Sequence, residues 1–101
     1  MRLIDRKRLI QAGVQYPQAR APLQDWYTIM KQVKATNLVE LRKTYPHADQ
    51  VGKATVFNIK GNDYRLIASI HYNTQTLYIL EVLTHAEYST DAWKARWHVF
   101  D

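Results

Sequence analysis

Residues 54–84, "ATVFNIKGNDYRLIASIHYNTQTLYILEVLT", decide the fold, because here the apolar period shifts from helical to strand-like. "ATVFNI" is rich in β-branched and aromatic residues, the types that suit a pleated, half-buried surface. "KGND" reads as a hairpin turn in which Gly61 and Asn62 are free to take positive φ. "YRLIASIHY" then alternates cleanly. Tyr64, Leu66, Ala68, Ile70 and Tyr72 share one face, and Arg65, Ile67, Ser69 and His71 share the other. "NTQT" turns the chain again, and "LYILEVLT" completes a three-stranded antiparallel meander.

Working outward, the flanks read as helices. "RLI" at 2–4 reads as a short first strand, followed by Asp5 as a helix N-cap. Leu9, Ala12, Gly13 and Tyr16 then recur at helical spacing until Pro17 stops the run. A second helix starts near Gln18–Pro22, since proline is tolerated only in a first turn. Its stripe is Leu23, Trp26, Tyr27, Met30 and Val33, and the short link implies an antiparallel pair. Asn37 caps a brief turn through Leu38 and Leu41. At the far end, "STDAWKARWHVF" offers Ser89, Thr90 or Asp91 as a cap before Trp93, Trp97 and Phe100. Helices before an antiparallel sheet make the chain α+β. The helices are expected to cover one sheet face and leave the other partly open, where a site would lie.

The chain's 101 residues match one domain, 1–101, and 47% of them are hydrophobic, enough for a core without staples. There is no cysteine, which excludes a disulfide framework and any thiolate metal site. No stretch reads as a signal peptide or approaches the roughly 20 apolar residues of a membrane span. A soluble cytoplasmic protein without membrane association is the expectation. The net charge of +5 is unevenly spread. Residues 1–52 carry nine basic and four acidic side chains, and residues 53–101 carry five of each. A basic first half attracts polyanions, nucleic acid foremost, and equally describes a solvated helix face.

Histidines 47, 71, 85 and 98 show no metal-ligand spacing, so no metal site is expected. No nucleophile elbow or phosphate-binding glycine loop is present. The aromatic residues fall mostly on helical stripes, so Trp26, Tyr27, Trp93 and Trp97 read as packing and not as base-stacking platforms. Arg65 has two readings: a rim arginine with a packed stem, or a fixed guanidinium that grips a phosphate bidentately. Thr84-His85-Ala86-Glu87 also has two, because it fits the capping box as well as a reactive cluster. RNA cleavage would make these residues sufficient, since the 2′-OH is itself the nucleophile. The protein then supplies a base, an acid and cations for the phosphoryl oxygens. His85 and Tyr88 can move protons, while Arg65 and Lys53 can hold the phosphate. The 2′-OH requirement restricts such an enzyme to RNA.

The block "VFNIKGNDYRLIASIHYNTQTLYILEVLTHAEYS" (56–89) resembles the HigB-type toxins of bacterial type II toxin–antitoxin systems. It carries "VFN", "GN-x-x-R" and "TH-x-EY" at matching separations, while "RLI" and the "YP" at 16–17 match more loosely. The resemblance implies a RelE-like fold, with N-terminal helices on a mainly antiparallel sheet of three to four strands and a short C-terminal helix. It implies a metal-independent, cofactor-free, ribosome-dependent mRNA endonuclease (an mRNA interferase) that inhibits translation. The implied partners are mRNA, the ribosome and a HigA-like helix-turn-helix antitoxin, with no direct DNA binding by this chain alone. The resemblance carries Asn58, Gly61, Asn62, Arg65, Thr84, His85, Glu87 and Tyr88 onto matching positions. The expected site takes Arg65, His85 and Tyr88 as catalytic, Lys53, Asn58, Lys60 and Asn62 toward RNA, and Thr84, Glu87 and Ser89 in support. Relatives commonly carry Asp where this chain has Ser89. Two alternatives share the fold: a non-catalytic RNA- or ribosome-binding module, and a domain that only engages an antitoxin.

Overall fold

A computed structural model describes residues 1–101. In chain order the elements are β1 (Arg2–Ile4), α1 (Arg6–Gln15), α2 (Arg20–Gln32), α3 (Leu38–Leu41), β2 (Asp49–Val51), β3 (Ala54–Ile59), β4 (Tyr64–His71), β5 (Thr76–Thr84), α4 (His85–Ser89) and α5 (Ala92–Arg96). A 3-10 turn at Pro17–Ala19 leads directly into α2 and places Pro22 in its first turn.

The sheet has five strands, ordered β1-β5-β4-β3-β2, with only β1 and β5 parallel. The expectation of three to four strands undercounts it by β2. That strand is three residues long, mostly exposed, and pairs only with β3. The meander itself stands as read, with Asn58 opposite Arg65 and Arg65 opposite Leu83. A bulge between Ile67 and Ala68 on the β4–β5 ladder leaves Leu80 without an opposite residue. Arg8 reaches across from α1 and donates a 2.9 Å hydrogen bond to the Leu80 carbonyl.

Both faces of the meander are packed. On one, α1 and α2 bring Leu9, Leu23, Trp26 and Met30 against Phe57, Leu66, Ala68 and Ile79. Phe57 meets the edge of Trp26 at 5.3 Å and that of Tyr45 at 5.4 Å. Burying one such ring contributes about 1.5–3 kcal/mol. On the other face, Trp93 and Val99 of the C-terminal segment cover Ala54, Val56, Ile67 and Leu83. This face is therefore narrower than an uncovered sheet would be, and the opening lies toward the Asn58–Arg65 end.

Four local expectations are corrected. Asp5 precedes α1 but adopts φ 72° and makes no side-chain cap; its carboxylate pairs with Arg8 at 3.6 Å instead. In the β3–β4 turn, Lys60 and Gly61 take the positive φ values, and Asn62 does not. Of the three cap candidates before α5, Asp91 holds the N-cap position, but with φ 63° and no side-chain bond. The tail is also not one long stripe. His98 takes φ 51°, which turns Val99 inward and leaves Phe100 69% exposed. The Val99 carbonyl then accepts the Lys53 backbone N–H at 2.7 Å, closing the C-terminus onto the β2–β3 turn.

Candidate functional site

Arg65 is fixed by the turn that precedes it. Its Nη1 donates to the Asn62 carbonyl at 2.9 Å and to the Tyr64 carbonyl at 3.3 Å, and its Nη2 donates to Asn62 Oδ1 at 3.4 Å. Asn62 Oδ1 also accepts from Asn58 Nδ2 at 3.3 Å, which ties the facing strand residue into the same network. The "GN-x-x-R" spacing thus works through backbone geometry: the Gly61 turn presents an Asn carbonyl and amide to an arginine three residues on. A guanidinium has five donors, so at least two remain for a ligand. The Arg65 stem is half-buried on the sheet, which joins the two sequence readings of this residue.

Tyr88 completes the wall. The Arg65 guanidinium carbon lies 5.3 Å from the centroid of its ring, a cation–π arrangement. Trp93 stacks on the same ring at 5.3 Å and 17°, and its Nε1 donates to the Tyr88 carbonyl at 3.1 Å. The tyrosine is held through a buried tryptophan, which favours one ring position over many.

An open cleft of about 320 Å³ lies between these residues and the loop before β2. Its polar lining is Arg42, His47, Asp49, Asn58, Arg65 and Tyr88. Arg42 holds that loop by donating from Nε to the Ala48 carbonyl at 2.8 Å and pairing with Asp49 at 3.8 Å. His47 is the residue that sequence reasoning missed. Nothing near it in the chain marks it, and it reaches the cleft only because β2 pairs with β3.

The remaining sequence-assigned residues lie elsewhere. His85 is exposed at the start of α4, outside the cleft lining, although its backbone N–H donates to the Asp63 carbonyl of the Arg65-holding turn at 3.0 Å. Lys60 lies in the same turn, where it pairs with Asp63 at 3.1 Å. Lys53 sits before β3, five residues from Asn58, or about 17 Å along an extended strand. The structure does not bring it together with Arg65. Thr84 and Glu87 form a complete capping box, with Glu87 N–H donating to Thr84 Oγ1 at 3.2 Å and Thr84 N–H to Glu87 Oε1 at 2.9 Å. Tyr16 at the end of α1 also donates to Glu87 Oε1, at 3.3 Å. These bonds, the Thr84 N–H foremost, hold the Glu87 carboxyl below its ordinary range. Ser89 Oγ donates to the His85 carbonyl at 2.9 Å within α4, so it neither caps α5 nor lines the cleft.

No group of three or more His, Asp or Glu side chains comes together as a metal-ligand set. No helix is long and apolar enough to cross a membrane. The cleft offers a fixed cation, a phenol and an amide on one wall and an imidazole on the facing loop, a set suited to binding an anion and moving protons beside it.

A helical pair on one face of a mainly antiparallel sheet, with an arginine–tyrosine cleft on the other, is a RelE-like architecture. The family model for HigB_toxin, the RelE-like toxic component of a toxin–antitoxin system, matches residues 19–100, and the chain belongs to that family. A cognate antitoxin is accordingly its partner. Curated relatives agree. The mRNA interferase toxin HigB of Escherichia coli is 33% identical over 91 residues, covering 87% of this chain and 88% of the relative. The mRNA interferase HigB of Shigella flexneri matches to the same extent, and a further Escherichia coli mRNA interferase HigB is 25% identical over the same length.

Proposed function

We propose that this chain, acting as one toxin domain, is a cytoplasmic endoribonuclease that cleaves mRNA on the ribosome and so arrests translation. The observation that carries the reading is the Arg65 guanidinium, fixed by Asn62 and the Tyr88 ring at an open cleft. Family membership supplies the context, and the mRNA interferase activity of the relatives supplies the substrate class.

In this mechanism Arg65 neutralises the charge that grows on the scissile phosphate. An imidazole takes the 2′-OH proton and the Tyr88 hydroxyl protonates the leaving 5′-oxygen, leaving a 2′,3′-cyclic phosphate. His47 lines the cleft and is our first choice for the base; His85, exposed at the start of α4 and outside the lining, is the second. Asn58 and Asn62 orient Arg65. Lys60 and Lys53 contact flanking phosphates of a longer RNA, outside the cleft itself. Thr84 and Glu87 hold α4, and with it Tyr88, in place. Ser89 tightens the same turn. No step calls for a metal ion or a cofactor. A HigA-like helix-turn-helix protein is the proposed antitoxin, with DNA binding left to that partner.

Induced expression tests the reading. Wild type should arrest growth and leave mRNA cut at discrete positions by primer extension. Arg65→Ala should abolish both effects while still binding the antitoxin. Intact mRNA in growth-arrested cells would sink it in favour of a non-catalytic ribosome-binding module.

A further inference from the structure

The helical layer carries a second concavity, on the side of the molecule away from Arg65. It is a groove of about 240 Å³ between α1 and α2. Its floor is formed by Leu9, Gly13 and Leu23, all buried, and the two leucines belong to the core on the opposite sheet face from the cleft. Its rim is apolar where a solvated helix hairpin would be polar: Ile10 is 57% exposed and Val14 68%. Ile10 and Val14 are one turn apart on α1, so they form a single exposed ridge.

The charge around this groove is one-sided. Arg6 and Arg20 line it, and no carboxylate does. Neither arginine takes part in an ion pair, in contrast to Arg8, Arg42 and Arg96, each of which has a carboxylate partner. Arg6 rests on the Tyr27 ring at 5.0 Å, which fixes it at one end. Arg20 packs beside Gly13 toward the other. From Arg6 to Val14 the groove runs eight helical residues, about 12 Å. That length fits two turns of a partner helix with apolar anchors at i, i+4 and i+7.

We propose that the α1–α2 groove is the docking site for an amphipathic helix of the cognate antitoxin, carrying an apolar stripe flanked by carboxylates that meet Arg6 and Arg20. The inference rests on the family assignment for the existence of an antitoxin, and on the groove for where and how it binds. Because the groove and the Arg65 cleft lie on opposite sides of the sheet, this helix anchors the antitoxin without filling the cleft.

The test uses the full-length toxin and its purified antitoxin. Ile10→Glu/Val14→Glu places two carboxylates on side chains that are already exposed, so the fold should persist by circular dichroism and Tm. Binding to the antitoxin should weaken at least tenfold, and antitoxin co-expression should no longer rescue growth, while the variant's own toxicity stays at the wild-type level. Arg6→Glu/Arg20→Glu should weaken binding to a similar degree and flatten its salt dependence. The milder Ile10→Ala should fall between these and wild type, which covers the case of a misfolded double variant. Antitoxin affinity within twofold of wild type in the folded variants overturns the proposal. So does a wild-type dimer that these substitutions dissociate while antitoxin binding persists, or a loss of toxicity with antitoxin binding intact. A wild-type chain that binds antitoxin through this groove but never cuts mRNA would leave this inference standing and remove the proposed function.

Discussion

The guanidinium of Arg65 lies 5.3 Å from the centroid of the Tyr88 ring, and Tyr88 in turn stacks on buried Trp93. The cation is thereby fixed from both sides of the sequence block: by Asn62 within its own hairpin, and by a helix that follows the next strand. Two substitutions separate charge from geometry. Arg65→Lys keeps the charge but loses the fork that bonds Asn62, and mRNA cleavage should fall about 100-fold, the scale of losing one preorganised donor. Tyr88→Phe keeps the stack and loses only the hydroxyl. A loss of about 100-fold with unchanged Tm identifies the phenol as proton donor; full activity would reduce Tyr88 to a support for Arg65.

His47 and His85 make competing claims to the same proton. Both are exposed, so alanine at either should leave the unfolding free energy within about 0.5 kcal/mol of wild type. The His47→Ala variant should lose about 10²–10⁴-fold in single-turnover cleavage, the range for a general base. His85→Ala should lose less. The reverse order would return the role to the histidine of the "TH-x-EY" motif.

The contrast between these histidines shows where the sequence was legible. Signals of short range could be read directly. The period-two alternation of 64–72 defined β4, and Thr84 with Glu87 announced a capping box that forms in full. Arg65 could be singled out because a cation stood in a strand whose next residues are strongly apolar. Relationships that depend on tertiary pairing could not be read. Asp49–Val51 is too short and polar to show a strand period, yet its pairing with β3 carries His47 to the cleft. The bulge at Leu80 leaves no residue-type mark, and its carbonyl finds Arg8 from 72 positions away. Lys53 shows the converse. It is near Asn58 in the chain, but an extended strand carries it out of reach.

Gly52 is a conformational requirement. It has φ +57°, and an added Cβ would lie 2.1 Å from the Val99 carbonyl oxygen. Relief would require the C-terminal segment to move, with the loss of the Lys53 N–H bond to Val99. Gly52→Ala should therefore destabilise by more than the roughly 1–2 kcal/mol of left-handed backbone strain alone. Chemical denaturation gives the magnitude, and faster proteolysis of residues 97–101 would locate the effect.

Tyr45 predicts an alkaline limit. Burial, with a smaller contribution from Asp25, pushes its phenol up to about 12. Its hydroxyl is buried without a hydrogen-bond partner. A phenol that ionises near pH 10 when unfolded and near 12 when folded contributes stability fully present below pH 10. That contribution disappears as pH rises toward 12. Tyr45→Phe should match or exceed wild-type stability at pH 7, since it removes an unpaired buried hydroxyl. Above pH 10 the variant should still lose Tm, but more slowly than wild type, since burial also raises Tyr16 and Tyr72, which remain; a parallel decline would show that those groups set the limit.

Glu87, with Glu40, contributes to stability against acid, and Glu87 also links stability to the cleft. Its carboxylate accepts the Thr84 N–H and the Tyr16 hydroxyl, so its folded pKa is depressed. Such a group contributes stability present above the unfolded value, about 4.3, and lost as pH falls through the folded one. At pH 7, Glu87→Gln should be less stable than wild type, and the gap should close below about pH 4. Thr84→Ala removes the other half of the box and should cost about 1 kcal/mol at pH 7. Because α4 carries Tyr88, both variants should also lower cleavage without changing the pH at which it is half-maximal. A shifted pH profile would instead make Glu87 part of the proton transfer itself.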